Sequence, residues 1–406
     1  MKPQLQVSSF MFQVPLSLHL ATIVTFQSFS SPQAGGDLKS SYAIIPIMKE
    51  AMFYKKLEQQ KVQCFLCNHQ CVISNGKRGI CAVRENIDGT LYSLVYGRVI
   101  SMNIDPIEKK PLFHFYPASK SFSIATVGCN FRCMHCQNFD ISQYPKGSNE
   151  SRVMSYELKN KGNSKLQTLN SKLNSMPGEN VTPEQIVDAA VKSGCKSISY
   201  TYTEPTIFFE FAYDCARLAH ENGIKNIFVS NGYTSTEATK TIAPYLDGNN
   251  IDLKGNDDFY KKICGARLQP VLDTIKLMKE LGVWVEVTTL IIPENNDSED
   301  FLRWAAGFIK SVDASIPWHV TQFSPTYKLM NQPRTPVITL RKAREIGLAA
   351  GLKYVYEGNV PGEGGENTYC PHCKKLLIER FGFYIKENKI KEGKCFNCMA
   401  KIEGIW

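Results

Sequence analysis

From residue 121 onward the apolar residues follow two alternating periods. Short runs rich in β-branched and aromatic residues at 121–127, 197–203, 226–230, 250–253, 283–292 and 318–323 read as strands. Between them apolar residues recur at spacings of three and four. Examples are Ile186, Ala189 and Ala190 in the segment opened by Thr182-Pro183-Glu184, and Leu272, Ile275, Leu277 and Met278 before Gly282. Strand and helix in strict alternation predict an α/β fold with a parallel sheet. Six such units with right-handed crossovers curl that sheet into a partial (β/α)6 barrel.

The rhythm is absent elsewhere. Residues 90–118 read as short strands and turns, with a strand at 91–96 and a polar turn at 108–111. Residues 146–179 are rich in Ser, Asn and Lys and poor in large apolar groups, which predicts a disordered insertion. Residues 10–26 are apolar but interrupted by Gln13, Pro15, Ser17 and His19, too short and mixed for a membrane span. This opening segment contains no Arg, against an organellar presequence, and Met48 or Met52 could serve as a start. The expectation is a cytoplasmic protein with a dispensable extension, targeting by residues 1–47 being the alternative. The domain reading is an extension at 1–47, a Cys-rich module at 48–118, the barrel at 119–350 and a Cys-rich ribbon at 351–406.

With 43% hydrophobic and 21% charged residues, the 406-residue chain has the composition of a globular enzyme. A net charge of +9 without a run of basic residues gives nucleic-acid binding little support.

Cysteine changes the picture. Of 14 Cys, 11 fall into three clusters with metal-ligand spacing, which suits a reducing compartment. Cys195, Cys215 and Cys264 stand apart and read as small buried apolar residues. Cys64, Cys67, Cys71 and Cys81 bracket the turn Ser74-Asn75-Gly76, so four thiolates could close around zinc or an iron-sulfur cluster. Cys370, Cys373, Cys395 and Cys398 form two knuckles around the strand-like stretch 381–385, a zinc-ribbon pattern read as a structural clip, with a cluster as the alternative occupant.

The third cluster follows the first barrel strand: Cys129, Cys133 and Cys136. Three thiolates can hold three irons of a cubane and leave the fourth without a protein ligand, whereas ordinary ferredoxin sites use four Cys. Zinc completed by His135 is the alternative, with His135 expected to point away. This C-x3-C-x2-C loop resembles the radical SAM superfamily, where the open iron is chelated by S-adenosylmethionine (SAM). The resemblance implies a [4Fe-4S] cluster, reductive cleavage of SAM to a 5′-deoxyadenosyl radical, and hydrogen abstraction from a substrate, with a protein among the candidates. A reductant such as flavodoxin or ferredoxin is then required.

Ligands of parallel α/β barrels gather at the carboxyl ends of the strands. There the sequence places Glu204, Asn231, Asp252, Lys254, Thr289 and His319. Glu204-Pro205 resembles the end of the Gly-Gly-Glu-Pro motif of activating enzymes, with Tyr202 and Thr203 in place of the glycines, and implies a carboxylate for the SAM ammonium. Ser230-Asn231-Gly232, Asp252-Leu253-Lys254 and His319 resemble positions lining the SAM and substrate cavity of glycyl-radical activating enzymes. Over residues 52–406 the chain is also similar to the AmmeMemoRadiSam radical enzymes, through the stretches 64–81, 106–113, 126–142, 199–206, 263–267 and 358–362 and the terminal knuckles. Residues 1–47 and 146–179 depart from that pattern. The rival reading is a metal-binding interaction or RNA-binding protein with an inactive barrel.

Overall fold

A computed structural model describes residues 48–144 and 176–406; the extension at 1–47 and all but the last four residues of the expected insertion lie outside them. The main sheet has eight strands: β1 (Ser101–Pro106), β2 (Lys120–Ala125), β3 (Ser197–Tyr200), β4 (Lys225–Ser230), β5 (Gly248–Asp252), β6 (Trp284–Ile291), β7 (Trp318–Gln322) and β8 (Val355–Gly358). They lie side by side in chain order. Strands β2 to β8 are parallel, and β1 runs antiparallel along β2. The six expected strands are thus six consecutive neighbours. The sheet has a seventh parallel strand that the sequence pattern missed, because β8 is four residues long and carries Glu357.

The helices cover one face. They are α1 (Pro183–Lys192), α2 (Phe209–Glu221), α3 (Thr236–Ile242), α4 (Gln269–Glu280), α5 (Glu299–Val312) and α6 (Val337–Ala349). Thr182 and Gln185 form a reciprocal capping box at the start of α1, and Ser235 and Ser298 cap α3 and α5. Because strand side chains alternate between faces, Tyr200, Phe228, Ile251, Val287, Trp318 and Val320 join Ala216, Ile275, Ala306 and Ala343 of the helices in one apolar core. The other face is polar: Ser121, Ser199, Asn250, Glu286, Thr288 and His319 are all buried there. Such a face is stable only where these groups find partners.

At the amino ends of the strands the partners come from residues 105–118. Glu286 accepts hydrogen bonds from the backbone N–H groups of Phe113 (3.0 Å) and His114 (2.8 Å), from Trp284 Nε1 (3.0 Å) and from His319 Nε2 (2.6 Å). His114 in turn meets Tyr356 Oη at 2.5 Å and the Glu403 carbonyl at 2.6 Å. Arg380, from the tail, donates to the Phe113 carbonyl (2.9 Å) and lies over the Phe113 ring. Phe113, Tyr356, Leu377, Ile378 and Ile402 then form a second core, sealing the floor with the C-terminal ribbon. The turn expected at 108–111 is therefore not a solvated one: Glu108 and Lys110 are each 1% exposed, and Lys110 Nζ pairs with Asp105 at 2.5 Å. The tail stretch expected as one strand is a hairpin of Leu376–Phe381 and Tyr384–Asn388, broken where Gly382 takes φ +59°.

Burial pushes the His114 imidazole down to about 4, so the folded protein keeps it neutral where the unfolded chain protonates it. The unfolded state binds more protons between about pH 6.5 and 4, so this part of the stability is complete above that window and is lost as pH falls through it. His114 should contribute a loss on the order of 3 kcal/mol across the window in urea unfolding, and His114→Asn should reduce the slope by that share. An unchanged slope would mean that His114 is not the group responsible.

Candidate functional site

The chain leaves β2 and turns at Gly128, whose φ is +100° and where an added Cβ would meet Val83 Cγ1 at 2.7 Å. The loop that follows lies along residues 263–264, with Arg132 N–H donating to the Cys264 carbonyl (2.8 Å) and Met134 N–H to that of Ile263 (3.0 Å). Lys328, from the loop after β7, donates to the Met134 carbonyl at 3.0 Å. Residues 260–264 form a single π-helical turn, an irregularity common at functional sites. This framework places the loop that carries Cys129, Cys133 and Cys136 at the carboxyl end of the sheet, with Cys133 buried and the other two partly exposed. Phe131 N–H donates to Cys129 Sγ (3.3 Å), and Cys136 Sγ lies 3.2 Å from Ser142 Oγ.

Two expectations change here. Cys264 is buried, yet it is not simply core filler: it stands beside Cys133 and His135, and the three donor atoms lie within 4.8 Å of one another. His135 is 5% exposed and turned inward, against the expectation that it points away. Hydrogen bonding to Cys264, together with burial, pushes the Cys133 thiol well up, so a metal there takes the place of a proton. His135 entered the sequence reading only as the completing ligand of the zinc alternative, and Cys264 only as a small buried residue and as part of the motif stretch 263–267.

The strand ends carry the other candidates. Glu204 is 2% exposed and its carboxylate is occupied: Thr206 N–H (3.1 Å), Thr206 Oγ1 (2.6 Å), Ser230 Oγ (2.8 Å) and Asn231 N–H (2.8 Å) all donate to it. Its reach is indirect, because Asn231, held by that bond, donates from Nδ2 to Asn130 Oδ1 at 2.7 Å inside the Cys loop. Tyr202, where the activating-enzyme motif has glycine, adopts φ +61°. A left-handed residue other than Gly costs about 1–2 kcal/mol. Here the phenol bonds Asp105 and Lys110 Nζ sits 4.7 Å over the ring, which offsets that cost.

Asp252 and Lys254 form an ion pair of 2.7 Å beside Cys133, and the Asp252 side chain remains 33% exposed. Burial opposes the Lys254 charge, but Asp252 together with the neighbouring Cys133 and Cys264 thiols outweighs it and holds the ammonium well above its usual range. Thr288 pairs in register with Asp252, and its buried hydroxyl has no partner. Thr289, the residue singled out from sequence, lies on the opposite face: its hydroxyl donates to the Leu253 carbonyl (2.8 Å) and accepts from Trp318 Nε1 (3.0 Å). His319 sits one residue from the amino end of β7, engaged with Glu286 in the floor and not grouped with the Cys loop.

The two outer modules differ in geometry. Zn–S bonds of about 2.3 Å place tetrahedral thiolates roughly 3.8 Å apart. In the tail Cys370 and Cys398, and Cys373 and Cys395, are 3.6 Å apart, and all four sulfurs lie within 4.8 Å. Cys64, Cys67, Cys71 and Cys81 instead line a separate cavity with Arg84 and Ile207.

Three thiols on one loop, an open carboxylate–ammonium pair and unpartnered buried atoms at Asn130 Nδ2 and Thr288 Oγ1 fit a metal cluster with a polar, charged ligand above it. Among the described residues no helix is long and apolar enough to cross a membrane. A sequence profile of the radical SAM superfamily matches residues 123–305. An uncharacterized protein of Methanocaldococcus jannaschii is 48% identical over 359 residues, covering 88% of this chain and 99% of its own. The pyruvate formate-lyase-activating enzyme of Clostridium pasteurianum is 24% identical over 215 residues, 50% of this chain and 76% of that one. A solved radical SAM methyltransferase from Sphaerobacter thermophilus aligns with 64% of this chain and 71% of its own, with 15% identity and a TM-score of 0.43.

Glu204→Ala would leave the donors of Thr206, Ser230 and Asn231 buried without an acceptor, a loss of about 3 kcal/mol or more. Glu204→Gln keeps one acceptor oxygen and should cost less. Chemical unfolding of the two variants checks the order.

Proposed function

Because the chain belongs to the radical SAM superfamily, in its activating-enzyme-like branch, we propose that it is an enzyme that abstracts a hydrogen atom from a protein substrate. The observation that carries this reading is the Cys129–Cys133–Cys136 loop standing at the carboxyl ends of the strands beside a half-buried Asp252–Lys254 pair. When bound, a [4Fe-4S] cluster on these thiolates supplies the electron that cleaves SAM into methionine and a 5′-deoxyadenosyl radical.

The chain's own residues do the rest. Asp252 has one oxygen engaged by Lys254, and the other would take the SAM ammonium or ribose. Lys254 would pair with the methionyl carboxylate, and Asn231 and Thr288 would offer polar groups to the remainder. Glu204 is a positioning residue that acts through Asn231. His319 acts through the floor and Thr289 through Trp318, both by holding strands in register. The closed floor leaves the carboxyl end as the way in. Around that mouth Phe139 stacks on Tyr327 at 4.6 Å and Met330 is exposed, an apolar rim suited to a peptide segment. Flavodoxin or ferredoxin is the one-electron donor, and the tail thiols hold zinc as a structural clip.

In anaerobically reconstituted protein, the reduced cluster should give a low-temperature paramagnetic signal that SAM perturbs, and 5′-deoxyadenosine should accumulate. Asp252→Asn should weaken SAM binding tenfold to a hundredfold, about 1.4–3 kcal/mol, at unchanged iron content. SAM affinity that survives the substitution intact removes Asp252 from the site.

For the tail, metal analysis should find one zinc per chain. Replacing Cys373 with Ala should release it and loosen the ribbon, read as faster proteolysis after residue 366. Iron in the tail would overturn the clip assignment.

A further inference from the structure

The four cysteines of the N-terminal module do not share the geometry of the tail. Among the described residues, the groups whose donor atoms all lie within 4.8 Å are the tail knuckles and Cys133–His135–Cys264; no three of Cys64, Cys67, Cys71 and Cys81 make such a group. These four sulfurs line one small cavity together with Leu66, Ile73, Ile80 and Ile207. A zinc ion needs its sulfurs roughly 3.8 Å apart. A cubane of four irons and four sulfides separates its thiolates more widely and fills the space between them.

A second observation points the same way. Arg84 lines this cavity and is 2% exposed; its Nη2 pairs with Glu210 at 3.0 Å, but Nε and Nη1 have no partner. Two buried cationic N–H groups without acceptors are costly. The bridging sulfides of a cluster bound by four thiolates, with a net negative charge, would accept them, and such hydrogen bonds also set a cluster's potential.

The module is in contact with the other iron site. His69, between Cys67 and Cys71, meets the Asn130 carbonyl at 2.9 Å, between Cys129 and Cys133. An added Cβ on Gly128 would meet the Cys81 carbonyl at 3.1 Å, and Cys67 bridges Thr234 beside the Asn231 loop.

We infer that Cys64, Cys67, Cys71 and Cys81 hold a second [4Fe-4S] cluster, adjacent to the first and serving as the port through which its electron arrives. A low-potential one-electron protein donor reduces the second cluster from the 2+ to the 1+ state. That electron passes across the His69–Asn130 contact to the cluster of the SAM site, and the second cluster returns to 2+. No proton moves and no covalent bond changes. The inference rests on the proposed reading of the Cys129 loop, and the test separates the two.

The test uses the full chain, reconstituted anaerobically with iron and sulfide. Cys129→Ala/Cys133→Ala/Cys136→Ala should retain about four irons of an expected eight, with a reduced-state paramagnetic signal that SAM does not perturb. The fully reduced unsubstituted protein should show spin–spin broadening between neighbouring clusters that this variant lacks. A triple variant free of iron, or carrying a second zinc, overturns the second cluster and leaves the SAM site standing. The reciprocal variant Cys67→Ser/Cys71→Ser should keep about four irons and the SAM-perturbed signal; if it keeps none while the triple variant keeps its four, the radical SAM reading fails instead. Should the reciprocal variant not fold, the triple variant still decides. Absence of broadening with both clusters present overturns the electron-port role.

Discussion

One buried carboxylate organises the molecule. Glu286 lies on the polar inner face of the sheet, where four donors from three separate segments converge on it. A buried charge persists only when its lone pairs are met. Meeting them draws the 105–118 segment under the strands and aligns β6 with β7. Through His114 and Arg380 the same arrangement anchors the tail. With the amino end of the barrel filled in this way, reactive groups can gather only at the opposite end. The placement of the cysteine loop there follows from the direction of the strands; the seclusion of that site follows from the floor.

The three cysteine clusters show how similar sequence spacing yields different sites. Paired knuckles in the tail are set on tight turns, and their sulfurs converge to the separation a single ion needs. The N-terminal four are distributed over a strand, a turn and a loop, and they enclose a volume instead. The loop after β2 offers three thiols, and Cys264 reaches it from a different part of the chain by way of a π-helical turn. Reach, not composition, separates the three.

Much of this was legible in the sequence. The six strand-like runs are six consecutive parallel neighbours because long β-branched stretches between capped helices leave little choice of topology. The cysteine clusters were legible because thiol spacing is a local property. What was not legible depended on tertiary contact. Thr289 and Thr288 differ by one position, and only the pleat decides which of them faces inward. Lys110 reads as a solvated turn residue until Asp105 and the Tyr202 ring are seen around it. Glu204 matches a motif by order, yet Ser230 and Asn231, some 26 residues away, take up its oxygens. Cys264 and Cys215 are equally buried, and nothing in the stretch 263–267 indicates that the Cys264 thiol reaches Cys133.

The floor also constrains the order in which the protein can be built. His114 is closed over by the carbonyl of Glu403, a contact spanning 289 residues, and Ile405 brackets the same segment with bonds to His114 and Tyr116. During synthesis every strand of the barrel therefore emerges before the residues that finish its base. Contacts of such long sequence separation form slowly, since loop closure precedes their reward. A nascent chain would hold a helix-covered sheet with its polar interior still open to water from below. Loading of metal into the carboxyl-end loops need not wait for that closure, because none of their ligands comes from the last stretch of the chain, but protection of a reactive intermediate must.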